Sequence, residues 1–125
     1  MLYTGSFRDI NPDKYDQIWL VVRKLMSPVK NTKGNIYHID TIAPSQKLLY
    51  DTLEMKRKKT WNQEAFDKIY APRYLKEMLE IEPMLQLQKL AELSKTQNIL
   101  IACYCKDENL CHRSLIKQIV DTINS

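Results

Sequence analysis

Apolar and polar positions along the chain fall into three short continuous apolar runs separated by stretches of helical period. The runs are Leu2-Tyr3-Thr4, Ile18-Trp19-Leu20-Val21-Val22 and Ile99-Leu100-Ile101-Ala102-Cys103. The second and third do not alternate, the pattern of strands buried on both faces of a parallel sheet. Gly5-Ser6 follows the first run and reads as a tight turn where backbone can approach a ligand closely. A further short strand is expected near Ile36 to Ile39. It lies inside residues 24–44, which otherwise have no clear period and contain Ser27-Pro28, Lys33-Gly34 and Ala43-Pro44. A connection this long reads as a lid or pocket wall. His38 within it reads as a surface residue.

The intervening stretches predict helices. Ser45 is placed to cap one that runs to about Met55, with Leu48, Leu49, Thr52 and Leu53 inward. Lys56-Arg57-Lys58-Lys59 reads as its C-terminus and turn, where cations complement the helix dipole. Thr60-Trp61-Asn62-Gln63 matches a capping box, and Trp61, Ala65, Phe66, Ile69 and Tyr70 share one face of the helix it opens. Pro72 predicts a break or kink, with helix resuming through Tyr74, Leu75, Met78 and Leu79. Glu82-Pro83 starts another helix, whose Leu87, Leu90, Ala91 and Leu93 lead back to the last strand. From Leu110 a stripe of Leu115, Ile116, Ile119, Val120 and Ile123 marks the final helix. The expected fold is α/β: one small domain over residues 1–125, with a short, mostly parallel, Rossmann-like sheet flanked by helices.

Composition changes this picture little. The chain has 125 residues, 44% hydrophobic and 27% charged, which suits one soluble domain with one core. No apolar run approaches the roughly 20 residues of a membrane span. The N-terminal residues lack the basic and apolar regions of a signal peptide, so a cytoplasmic location is expected. The net charge of +4 does not argue for a nucleic-acid partner, since no aromatic residues interleave the one dense basic run.

Candidate chemistry concentrates where the last strand meets the last helix. Ligands of open α/β folds bind at this end of the strands. Lys106, His112 and Arg113 surround the helix start, where free N–H groups and a positive dipole end favour anions. A bound anion would explain cations placed there, with Arg113 as the main contact and His112 and Lys106 in support. Asp107 or Asn109 is placed to cap the helix. Arg23, at the end of the second strand, is a second cationic candidate. The three cysteines, all between positions 103 and 111, do not form a disulfide framework. Cys111, at a helix start beside two cations, is expected to carry a lowered pKa, and Cys105 could reach it across the turn. The Cys-x-Cys and Cys-His spacings match no common zinc module, and adjacent helical residues diverge by about 100°, so no metal is expected.

Cys103-Tyr-Cys-Lys-Asp-Glu-Asn-Leu-Cys-His-Arg-Ser-Leu resembles the hallmark segment of the family called domain of unknown function 488. Cys103, Lys106, Asp107, Cys111, His112 and Arg113 all fall in place. Ala43-Pro44-Ser45 and Thr60-Trp61 to Tyr70 resemble it more weakly, in the right order. Two positions depart: Cys105 stands where the family often has Glu, and Val21 where it often has Asp before the residue matched by Arg23. The resemblance implies a small α/β fold with a pocket around these residues, and implies that Thr4, Gly5 and Ser6 line it. The combined expectation is a pocket for an anionic small molecule, a nucleotide or other phosphorylated metabolite. Cys111, Cys105 and His112 are its chemically active groups, Arg113, Lys106, Arg23, Thr4, Gly5 and Ser6 its ligand contacts, and no cofactor is implied. It acts on that ligand as an enzyme or sequesters it unchanged; thiol redox chemistry through Cys105 and Cys111 is the third alternative.

Overall fold

Four strands, β1 (Leu2–Ser6), β2 (Gln17–Leu20), β3 (Ile36–His38) and β4 (Ile99–Cys103), lie in the order β1-β4-β2-β3, and every neighbouring pair is parallel. The structure is a computed structural model and describes residues 1–26 and 28–125; Ser27 of the Ser27-Pro28 pair lies outside the described residues. All five residues of β4 are buried, as its unbroken apolar run requires for a strand with neighbours on both sides. β1 runs on through Gly5 and Ser6, where a turn was expected, because Gly5 pairs with Ala102 and Ser6 with Cys103. β2 stops before Val21. The Val21 N–H still donates to Ala102 O at 3.0 Å, but the Val21 and Val22 carbonyls accept from the His112 and His38 side chains.

α1 spans Gln46–Arg57, and the Ser45 hydroxyl accepts from Leu48 N–H at 3.2 Å as its N-cap. The basic quartet forms its last turn and exit, with Lys59 at φ 60°. The next helix is three pieces in series: α2 (Gln63–Ala65), a π-helical turn (Phe66–Tyr70) and α3 (Ala71–Glu77). Its cap is Asn62, which accepts from Ala65 N–H at 2.8 Å, and not Thr60. The Thr60 hydroxyl donates back to Met55 O and so closes α1 instead. Pro72 falls in the first turn of α3, where its missing N–H costs nothing, and the break it demands is taken up by the π turn just before it. α4 spans Ile81–Ser94 and α5 His112–Ile123.

One core joins the sheet to these helices. Leu48 of α1, Tyr74 of α3, Leu87 and Leu90 of α4 and Ile116 of α5 are fully buried against Ile18, Leu20 and the whole of β4. Each such aliphatic side chain contributes about 1.5–3 kcal/mol. α5 packs on β1, β4, α3 and α4, which fixes its N-terminus at the C-terminal edge of β4. Among the described residues, no helix is long and apolar enough to cross a membrane.

Candidate functional site

A cavity of about 410 Å³ opens at the C-terminal ends of β2 and β4, within the size range of small-molecule sites. Its floor is made by Cys103, Cys105, Cys111 and His112. The local sequence explains how these residues meet. β4 ends at Cys103, and Asp107 accepts from Asn109 N–H at 3.0 Å, which sets a single 3-10 turn over Glu108–Leu110. That turn reverses the chain and brings Cys111 back onto Cys103. Asp107 therefore caps this turn and not α5, whose N-cap is Cys111.

Cys111 has extended backbone, φ −133° and ψ 146°. The helical offset from His112 does not apply to it. Its Sγ lies 2.8 Å from Cys103 Sγ and 3.6 Å from His112 Nδ1. The other ring nitrogen of His112, Nε2, donates to Val21 O at 2.5 Å. Nδ1 is thus left with its lone pair toward the thiols. Burial holds the His112 pKa below the usual imidazole range, although the Val21 carbonyl works the other way.

The thiols differ. Cys105 is half-buried and is held well below the usual thiol range by hydrogen bonds from Cys103 and Cys111, with Lys56 adding positive field. Cys103 and Cys111 are both 1% exposed and are pushed up, chiefly because they donate within this cluster. The expectation that Cys111 is the activated thiol is corrected: it is buried and serves as a donor, and Cys105 carries the thiolate character.

The walls come from further away. Val22, Arg23 and Lys24 follow β2; Leu49, Thr52, Leu53 and Lys56 come from α1; Trp61, Tyr70 and Tyr104 add rings. Arg23 is braced by its own backbone contacts, Nε donating to Pro44 O at 3.1 Å and Nη2 to Ala43 O at 3.3 Å. The Lys56 ammonium stands 5.7 Å from the centre of the Trp61 ring. Tyr104 stacks on Phe7 at 4.0 Å and accepts from Met26 N–H, so the 24–44 connection touches the cavity at its start.

Of the residues singled out in the sequence, Cys105, Cys111, His112 and Arg23 line this cavity, and Thr4, Gly5, Ser6, Lys106 and Arg113 are not among its lining residues. Lys106 is exposed. Arg113 is 4% exposed and lies behind the floor. Its Nη1 donates to Gly5 O at 2.7 Å and Cys105 O at 3.1 Å, and approaches Cys103 Sγ at 3.5 Å. Gly5 contributes through that carbonyl. Of the two tyrosines that could reach the pocket, Tyr70 does; Tyr74 is buried and donates to Ile42 O at 2.6 Å. His38 is exposed but bonds Val22 O at 2.7 Å. Sequence reasoning missed Lys24, Lys56, Trp61 and Tyr104 as lining residues. A signal for part of this set exists: positions 49, 52, 53 and 56 repeat at i, i+3, i+4 and i+7, a second stripe on α1 beside the core stripe.

A family model described as "Active DUF488-N3 subclade" matches residues 3–124. No curated protein and no solved structure matches the chain. The family match covers nearly the whole chain, and the chain belongs to the DUF488 family.

Proposed function

We propose that this DUF488-family chain binds a small molecule of the nucleotide class in the cavity between β2, β4 and α1. The observation that carries the reading is the lining: aromatic and aliphatic walls with lysines at the edge. Trp61 and Tyr104 are the rings placed to stack on a planar base, a contact worth about 1–3 kcal/mol per base, while Tyr70 is buried and stacked between Phe66 and Tyr74. Val22, Leu49 and Leu53 exclude water around it. Lys24 and Lys56 are exposed cations on the same lining and suit a phosphate. A phosphorylated metabolite without a flat apolar body would leave these walls wet, which favours a nucleotide within the wider anionic class. Arg113 has no part in this reading, since its Nη1 is directed at backbone carbonyls.

Fluorescence tests it. The chain has two tryptophans, and Trp19 is 2% exposed inside the sheet, so a change on ligand addition reports Trp61. A nucleoside 5′-monophosphate should quench the signal and bind about tenfold tighter than its nucleoside, a difference of about 1.4 kcal/mol. Lys56→Ala should reduce that gap. Equal affinity for nucleotide and nucleoside, or no response at millimolar nucleotide, overturns the proposal. Mass spectrometry of the recovered ligand then separates the two modes: an unchanged ligand after long incubation identifies a sequestering protein, an altered one an enzyme.

A further inference from the structure

We infer that Cys103, Cys111 and His112 bind a zinc-type divalent cation, with Cys105 as the fourth ligand on the cavity side. The inference rests on the floor alone and not on the nucleotide reading. The ligand atoms of Cys103, Cys111 and His112 all lie within 4.8 Å of one another, and all three residues are buried. Two thiolates and an imidazole are donors that select zinc-like ions over magnesium or calcium, which need hard oxygen ligands. Cys105 lies outside that group but lines the same cavity, half-buried and two residues beyond Cys103, so it is the remaining thiol on the open side. Four such ligands make the Cys3His set of tetrahedral zinc sites.

Two features around the cluster fit an ion better than a set of free thiols. His112 donates its far nitrogen to Val21 O, which fixes the ring with Nδ1 toward the sulfurs. Metal-binding imidazoles are oriented by such a carbonyl. Arg113 is the second feature. Three thiolates and a neutral imidazole around a divalent ion leave one net negative charge. The buried guanidinium, 3.5 Å from Cys103 Sγ, neutralises it. Apart from such a cluster, half-exposed Glu108, 3.9 Å from its Nε, is the acidic side chain beside this buried guanidinium. The unusual sequence spacing is no obstacle, because Cys111 is an extended cap residue and not part of the helix. On binding, each sulfur donates a lone pair to the ion, and any proton still on it passes to solvent.

The test is titration of the chelator-treated full chain with Co2+, followed by displacement with Zn2+. The expected result is the visible absorption of tetrahedral cobalt and a near-ultraviolet thiolate-to-cobalt band, both saturating at one equivalent. Cys103→Ser and Cys111→Ser should weaken binding at least a hundredfold. Cys105→Ser should keep tetrahedral absorption with a weaker thiolate band. If the buried variants do not fold, as circular dichroism would show, the wild-type chain still decides. One equivalent of Zn2+ should slow maleimide labelling of its thiols at least tenfold. Absence of both tetrahedral absorption and thiol protection overturns the inference, as does binding undiminished in folded Cys103→Ser and Cys111→Ser chains. A chain that binds nucleotide but no Co2+ overturns this inference and leaves the preceding reading standing; the reverse result does the opposite.

Discussion

Arg113 sits in the first turn of α5, where a cation opposes the helix dipole. Something negative has to lie there, and spacing suggested a bound anion. The structure supplies the negative ends of two carbonyl dipoles, Gly5 O and Cys105 O, so Arg113 fastens β1 to the segment after β4. The sequence showed that the cation needs a partner but not which partner, because Gly5 lies 108 positions away along the chain. Arg113→Ala should therefore destabilise the chain by about 3 kcal/mol. Each hydrogen bond to a charged donor contributes about 1.5–3 kcal/mol, and the buried Gly5 carbonyl and the half-buried Cys105 carbonyl lose theirs. Arg113→Lys should recover only part, since an ammonium is more strongly hydrated than a guanidinium and costs more to bury. Urea midpoints of the three chains measure this, and an unchanged midpoint for Arg113→Ala would return Arg113 to a ligand role. Cys105 poses the related question of charge. It stands where the family often has Glu, and its lowered pKa lets a thiolate place negative charge at that position. Residue type alone could not show this, because the shift comes from Cys103 at the end of β4 and from Cys111, which the 3-10 turn brings back.

Strands were the elements most legible in the chain, since a run such as Ile99 to Cys103 has no polar position that could face water. Element ends were less so. They are decided by which side chain captures a backbone group, as when Thr60 bonds Met55 O and leaves Asn62 to cap α2. Ser45 is a case in which the local signal held and understated the result. Its hydroxyl caps α1 through Leu48 N–H and also donates to Glu77 Oε2 at 2.6 Å, while its own N–H donates to Glu77 Oε1 at 2.8 Å. The cap thereby ties the start of α1, which supplies part of the cavity wall, to the end of α3. Loss of an ordinary N-cap costs about 1 kcal/mol. Ser45→Ala should cost more, about 2 kcal/mol, because the Glu77 carboxylate loses a charge-assisted bond as well. A double-mutant cycle with Glu77→Gln measures the excess. Additive effects of the two substitutions would reduce Ser45 to a local cap.

At the scale of the whole molecule, the sheet order places the cavity between elements of unequal support. β4 is held on both sides, five residues paired with β1 and four with β2, and carries the thiol floor at its end. Among the described residues, β3 is a three-residue edge strand paired only with β2, and it belongs to the long 24–44 connection. That connection has the expected short strand, yet sequence pattern could not place it in the sheet, because three residues carry too little periodicity. Backbone opening should follow the same inequality. Amides in β4 can exchange only when both neighbouring strands separate, so their protection should approach the global stability, of order 5–15 kcal/mol. Amides of Ile36, Tyr37 and His38 need only the outer pair to open and should exchange earlier. Hydrogen exchange read by mass spectrometry or NMR distinguishes the two sets. Equal protection of β3 and β4 would mean that the sheet opens as one unit, and the difference in support would then have no bearing on the site. If the sets do differ, the floor stays fixed while the wall opens, and ligand binding should slow exchange at Val22 to Lys24 while leaving β4 unchanged. A floor held this way keeps Cys103, Cys111 and His112 in register with one another, which any chemistry shared among them requires.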